Sequence, residues 1–268
     1  LDGILAHVPA HPAAHGFVRG RSSLTHARAH VGRAVVLRLD LADFFPSVHG
    51  SRVRAIFREA GYPDAVAARL AGLCCTRLAR AEWRLRPASV SDAAWRRLRE
   101  PHLAQGAPTS PALANLAAFA LDRRLAALAL AFGATYTRYA DDLTFSGDAS
   151  LHPRLGRFRA WVERVIEDEG FALRHAKTRV MPQDTAQQVT GLVVNARPNV
   201  PREDYDRLRA TLHRCATRGV GEVEGVTGGD LRAHLLGRIA HVAATHARRG
   251  AKLRAMFDQI EWPRGTSA

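Results

Sequence analysis

Y-T-R-Y-A-D-D-L-T-F-S, Tyr136 to Ser146, is the stretch whose reading decides the fold. Aromatic, β-branched and apolar residues at Tyr136–Tyr139 and Leu143–Ser146 flank Ala140-Asp141-Asp142. Two short strands around a tight acidic turn make a β-hairpin. Two aspartates side by side at such a tip repel each other, and a divalent cation would relieve the repulsion. By itself an Asp-Asp pair also fits a solvated turn, so what surrounds the hairpin decides between the two.

Upstream, V-V-L-R-L-D (Val35–Asp40) is a β-branched, apolar run that reads as a buried strand ending on a carboxylate. A buried carboxylate is costly unless it is paired or binds a metal. Mg²⁺ prefers carboxylate oxygens together with substrate phosphates. Two such ions about 3.5–4 Å apart can clamp the attacking and leaving oxygens of an in-line phosphoryl displacement.

Further out, helices fit Ser51–Ala60 and Asp64–Leu78, and Gly61 stops the first. Residues 79–104 read as a basic insertion or loop. Ser110-Pro111 starts a helix that should run to Phe132 and stop at Gly133. Leu155–Glu169 is amphipathic and ends at Gly170, and Phe171–Leu173 and Val189–Val194 read as strands. After Pro198 only helical patterns follow, at Pro201–Ala216, Asp230–Ala247 and Ala251–Trp262. Residues 1–34 look loop-rich.

The 268 residues carry 39 Lys+Arg against 25 Asp+Glu, a net charge of +14, which implies a polyanionic partner with nucleic acid first in line. Lys177 and Lys252 are the only lysines, and coding bias toward arginine is an alternative source of that balance. An odd count of three cysteines with no CxxC or CxxH spacing argues against a disulfide framework or structural zinc. No apolar run of about 18 residues and no signal-like opening is present, so a cytoplasmic, non-membrane protein is expected.

The order strand-Asp, Gln-Gly, Tyr-x-Asp-Asp resembles the reverse transcriptase palm. L-D-L-A-D-F-F-P-S (Leu39–Ser47) resembles its first catalytic motif, Q-G-A-P-T-S-P-A-L-A-N (Gln105–Asn115) its second and Y-A-D-D (Tyr139–Asp142) its third. With H-G-F-V-R-G-R-S (His15–Ser22), Cys74-Cys75 and V-T-G-L-V-V (Val189–Val194), the chain is similar to retron reverse transcriptases from His15 to about Trp262. The resemblance implies an α+β polymerase hand. Residues 1–34 would be a remnant of the fingers, 35–198 a palm of antiparallel sheet and flanking helices with inserted fingers helices at about 48–104, and 199–268 a helical thumb.

It also implies an RNA-directed DNA polymerase that copies a structured noncoding RNA from deoxynucleoside triphosphates, with a role in anti-phage defence and an effector protein as a possible partner. The implied cofactor is Mg²⁺, as two ions, with Mn²⁺ as a substitute. Asp40, Asp141, Asp142 and the Leu41 carbonyl would be the metal ligands, and Lys177 would act at the leaving pyrophosphate. Asp43, Phe45, Gln105 and Gly106 would bind the nucleotide, Phe45 as a gate against the 2′-hydroxyl; Phe44 reads as core. Val189, Thr190 and Gly191, at the start of a strand, would meet the RNA, with Gly191 either admitting it or merely relieving crowding in the sheet. Arg207 and Arg214 would hold phosphates. His15, His26 and His30 fit RNA contacts or ordinary loop histidines.

The chain departs from the retron pattern in several places. His26 stands where the group carries Asn in Asn-Ala-x-x-His, Ala104 stands where Pro usually precedes Gln-Gly, and 79–103 is longer than usual. The first fingers motif does not appear, and the chain opens on Leu1, which is what a fragment, or a chain whose true start lies upstream, would show. Two rivals remain: a polymerase-fold RNA-binding module without activity, and a group II intron-type reverse transcriptase. The V-T-G-L-V-V segment argues against the second.

Overall fold

The computed structural model of the chain describes residues 4–88, 90–220 and 231–262. Four strands form one antiparallel sheet in the order β4-β5-β1-β6: β4 Ala134–Tyr139, β5 Asp142–Gly147, β1 Val35–Asp40 and β6 Arg179–Pro182. β1 fits its pattern residue for residue. Alternation sends Val35, Leu37 and Leu39 to one face and Val36, Arg38 and Asp40 to the other. On β5 the same alternation puts Leu143 and Phe145 in the core and Asp142, Thr144 and Ser146 opposite.

The larger core lies under the first face. Leu37, Leu39, Leu143 and Phe145 pack there with Phe57 of α2 (Gly50–Glu59), Ala67 of α3 (Asp64–Cys74), Leu113 of α5 (Ser110–Ala117), Leu125 of α6 (Phe119–Ala131) and Phe158 of α7 (Leu155–Asp168). A second core joins Val36 of β1 to Ala27 of α1 (Ser23–Arg28) and to the hairpin β7 (Gln188–Val189) and β8 (Leu192–Val193). The C-terminal helices complete it with Leu208 and Leu212 of α8 (Arg202–Arg218), Ile239 of α9 (Leu231–Thr245) and Phe257 of α10 (Ala247–Phe257).

Several expectations change. The helix from Asp64 stops at Cys74 rather than Leu78, because Cys75–Thr76 (β2) turns extended to pair with His102–Leu103 (β3). Segment 79–104 is not a loop; it holds a 3₁₀ turn at Arg80–Arg84 and a helix, α4, at Asp92–Arg99 capped by Ser91. The helix expected over 110–132 is two helices broken at Ala118, with no proline or glycine at the break. Phe171–Leu173 is no strand; Leu173 only bridges Leu41, and the fourth strand is β6.

Val189–Val194 is not one strand but a hairpin, turned by Thr190 (φ 46°) and Gly191 (φ 80°). Two consecutive left-handed residues are what a two-residue primed turn demands. A Cβ on Gly191 would meet nothing within 4 Å, so crowding is not why glycine stands there. Asp230, expected to open α9, lies outside the described residues.

Candidate active site

The acidic turn is built by the register of the sheet. Asp40 at the end of β1 sits directly opposite Asp142 at the start of β5, and Asp142 also pairs with Tyr139 of β4. Ala140 crosses the turn with φ 56°, a left-handed residue where alanine is strained. The Leu41 N–H donates to the Asp141 carbonyl (2.9 Å), which locks the strand end to the turn. The bridge from Leu41 to Leu173 uses bonds from the Ala42 N–H to Ala172 O and from the Arg174 N–H to Asp40 O, so it does not consume the Leu41 carbonyl.

Two of the three carboxylates are buried, Asp40 at 5% exposure and Asp142 at 6%, while Asp141 is half-buried. Each buried group has one oxygen occupied and one free of hydrogen bonds. Lys177 Nζ donates to Asp40 Oδ2 (2.9 Å) and Arg38 Nε to Asp142 Oδ2 (2.7 Å); Asp40 Oδ1 and Asp142 Oδ1 have no hydrogen-bond partner. Arg174 Nε stands 3.7 Å from Asp40 Oδ1. Burial pushes the Asp142 carboxyl up to about 6; Arg38 opposes the shift, and the negative charges of Asp141 and Asp40 add to it. Unbonded buried carboxylate oxygens on two cross-strand partners are the kind of donor a hard divalent cation takes together with substrate phosphates. Among the described residues no group of three or more His, Cys, Asp or Glu side chains is gathered closely enough to hold a metal ion, so the two buried carboxylates do not form a ready-made cluster with Asp141.

A buried network that the sequence reading missed holds the turn. Arg138 on β4 is fully buried; its Nε and Nη2 donate to Asp122 of α6 at 2.8 and 2.6 Å, and its Nη1 donates to Asn115 Oδ1 and to the Ala140 carbonyl, both at 3.0 Å. Tyr136 donates to the same Asp122 (2.8 Å), and Asn115 Nδ2 donates to Gly16 O (2.9 Å). Gly16 lies flat on the turn: a Cβ there would come 2.4 Å from the Ala140 nitrogen. One guanidinium thereby joins α5, α6, the acidic turn and, through Asn115, the N-terminal loop.

The other anticipated residues divide. Phe45 is half-buried, with ring centroids 5.6 Å from Phe44 and 6.0 Å from Phe17, while Phe44 is core as expected. Asp43 has φ 49° and accepts from Arg97 Nη1 of α4 (3.2 Å). Gln105 and Gly106 form an exposed turn, with Gly106 at φ 89°. Arg207 and Arg214 are exposed on α8, where Arg207 also faces Asp204 at 3.9 Å.

The Val189 side chain is fully buried in the second core and is not presented to a ligand. Thr190 donates to Ser23 O (3.2 Å), and only the tip at Thr190-Gly191 remains presented. His26 and His30 are buried and cannot be surface contacts; the ring nitrogens of His30 lie 2.7 Å from the Ser146 and Thr137 hydroxyls, bracing both strands of the acidic hairpin. His15 pairs with Thr25 at 2.9 Å. Strand period alone could have flagged Arg38, two residues before Asp40 on the same face; nothing local marks Arg138 as partner to Asp122.

Comparison with known proteins assigns this arrangement to a family. Residues 2–194 match the profile of the reverse transcriptase (RNA-dependent DNA polymerase) family. The retron Mx65 reverse transcriptase of Myxococcus xanthus is 44% identical over 264 residues, 98% of this chain and 57% of that protein. The retron Mx162 reverse transcriptase of the same organism is 38% identical, over 97% of this chain and 55% of that protein. The retron Ec86 reverse transcriptase of Escherichia coli is 33% identical, over 85% of this chain and 64% of that protein. The chain thus spans little more than half the length of the Myxococcus relatives. Its ordered acidic motifs, its antiparallel sheet and these matches place the chain in the reverse transcriptase family, among the retron enzymes.

Proposed function

We propose that this chain is the polymerising core of a retron-type reverse transcriptase that copies a structured noncoding RNA into DNA. The observation that carries the reading is the pair of buried carboxylates opposed across β1 and β5, each with an oxygen left for a ligand, beside Asp141 at the turn. Asp40, Asp141, Asp142 and the Leu41 carbonyl would hold two Mg²⁺ ions, or Mn²⁺ in their place. Bound there, the ions supply positive charge to the attacking and leaving oxygens of phosphoryl transfer.

In the reaction a primer hydroxyl attacks the α-phosphate of a deoxynucleoside triphosphate and pyrophosphate leaves. The protein's own part is positioning and electrostatics. Arg138 and Gly16 keep the acidic turn in place, and Arg38 fixes the orientation of Asp142. Lys177, now on Asp40, would neutralise or protonate the leaving pyrophosphate. The Phe45 ring would exclude a 2′-hydroxyl, and the Gln105-Gly106 turn would set the nucleotide against its template.

Residues 1–34 serve in this reading as a fingers remnant, 35–198 as palm with fingers helices at about 48–104, and 199–268 as thumb. Exposed Arg207 and Arg214 would grip duplex phosphates irrespective of sequence, and the Thr190-Gly191 tip would meet the cognate RNA. Among the described residues no helix is long and apolar enough to cross a membrane. Partnership with an effector in anti-phage defence follows from the retron relationship and belongs to this proposal.

The test is primer extension on an RNA template with Mg²⁺. The wild-type chain should incorporate deoxynucleotides. The double variant Asp141→Asn, Asp142→Asn should make no product while keeping its circular dichroism melt and RNA affinity. Extension by that variant at a comparable rate would refute the two-metal reading.

A further inference from the structure

Residues 79–88 and 90–103 fold into a small unit around Trp95, with Trp83 half-buried beside it. Trp95 of α4 is buried and its Nε1 donates to Trp83 O (3.1 Å), while Arg99 Nη2 donates to the same carbonyl (2.9 Å). The Leu78 N–H donates to Leu98 O (2.7 Å), and the Leu103 N–H donates to Val48 O (3.1 Å), fastening the unit to the chain just beyond the catalytic strand. At about 100° per residue, Arg97 points roughly 200° around the helix from the Trp95 anchor. There its Nη1 reaches Asp43 Oδ2 at 3.2 Å.

Asp43 lies three residues after Asp40 and two before Phe45, and its carboxylate is spanned from the other side by Arg174 Nη2 at 3.8 Å. Arg174 and Lys177 also attend Asp40. Three cations from two separate elements therefore arc around one edge of the acidic site. The Arg97–Asp43 pair is partly open to solvent, with side chains 27% and 32% exposed. A pair so exposed is held weakly. A guanidinium fork binds phosphate oxygens in bidentate fashion, and several phosphates in a row outcompete one carboxylate.

From this geometry we infer that Arg97 positions the incoming nucleotide: its guanidinium releases Asp43 and binds the triphosphate instead. The inference rests on the polymerase reading above and extends it to a residue outside the acidic motifs. The inserted helix becomes part of the substrate site, with Asp43 as the resting place of its arginine. Asp43 and triphosphate compete for the same cation, so removing one partner should have the opposite effect from removing the other.

The experiment uses the full chain with a preformed RNA-template primer. It measures kcat and KM for dTTP, and separately the displacement of a fluorescent deoxynucleotide by inorganic tripolyphosphate. Arg97→Ala should raise KM about 10-fold with kcat changed far less, and weaken tripolyphosphate by a similar factor, the worth of one charged hydrogen bond. Arg97→Lys should recover part of the loss. Asp43→Asn should tighten tripolyphosphate, because the competitor is gone. Equal tripolyphosphate binding by wild type and Arg97→Ala would overturn the inference. So would parallel losses in Arg97→Ala and Asp43→Asn, which would make the pair a structural pin. A wild-type chain that binds tripolyphosphate through Arg97 yet never extends a primer would sink the polymerase reading and leave Arg97 as a phosphate-binding residue only.

Discussion

Replacing Asp122 by Ala isolates the network under the acidic turn. Three donors lose their acceptor: Arg138 Nε and Nη2, at 2.8 and 2.6 Å, and the Tyr136 hydroxyl, at 2.8 Å. Both members of the ion pair are fully shielded from water, so solvent cannot take over. Removing one partner of such a pair costs roughly 3–5 kcal/mol, because a buried charge is left uncompensated. Arg138 keeps Asn115 and the Ala140 carbonyl, which puts the expected loss at the lower end, about 3 kcal/mol. For a chain of this size that is on the order of 6–12 °C in Tm. Urea titration and thermal melting followed by circular dichroism would measure it, with Asp122→Asn as a milder companion that retains an acceptor. A loss below about 1 kcal/mol would refute the reasoning, since it would mean that the guanidinium finds another acceptor. Because Arg138 also holds the Ala140 carbonyl, primer extension well below Tm should fall in Asp122→Ala as well; unchanged activity would dissociate the network from the site.

Other outcomes follow from single features. Phe45→Ala should raise the efficiency of ribonucleotide incorporation relative to deoxynucleotide; an unchanged ratio with a destabilisation of about 3 kcal/mol would make the ring purely structural. Burial, with His15 adding to it, lowers His26 to about 3, and burial, with His26 and His15 beside it, lowers His30 well below its ordinary value. Both are neutral when folded and take up a proton only on unfolding, so their contribution is full above about pH 6.5 and is lost as pH falls below it. Urea midpoints between pH 7.5 and 5 should decline accordingly, less steeply in His30→Gln; a flat profile would contradict their burial. Substitutions at Thr190 and Gly191 should weaken cognate stem-loop RNA more than an arbitrary duplex, whereas Arg207→Ala should weaken both and flatten the salt dependence by about one unit. Equal losses at the tip would leave a generic grip.

The parts of this protein that follow from short-range rules were legible. β1 was read to the residue because four apolar positions in six leave little choice, and Asp40, Asp141 and Asp142 came from motif order. What stayed hidden depends on partners far apart in the chain. Arg138 and Asp122 are 16 residues apart, and Arg97 and Asp43 are 54 apart; each looks like an ordinary surface charge until the fold joins them. The V-T-G segment was misread as a strand start because β-branched neighbours outweighed the turn signal of Gly191, and Val189 was taken for a contact when its alternation sends it inward. The basic, tryptophan-bearing stretch 79–103 has too few apolar residues to announce a helix by periodicity, and its anchors, such as Trp95 Nε1 on the Trp83 carbonyl and the Leu78 N–H on the Leu98 carbonyl, appear only in the fold.

β1 works as a party wall. Val35, Leu37 and Leu39 belong to the core beneath the sheet, and Val36 belongs to the one it shares with α8 to α10. The family match ends at Val194, yet Val189, Leu192 and Val194 are roofed by those helices. A chain severed there would bare Val36 on the back of β1 together with the underside of the hairpin. Melting of the C-terminal helices should therefore be felt at Asp40, four residues along the same strand, and amide exchange in β1 and in α8 should slow and quicken together. Trimming the protein to its motif-bearing portion would remove a supporting half of the building.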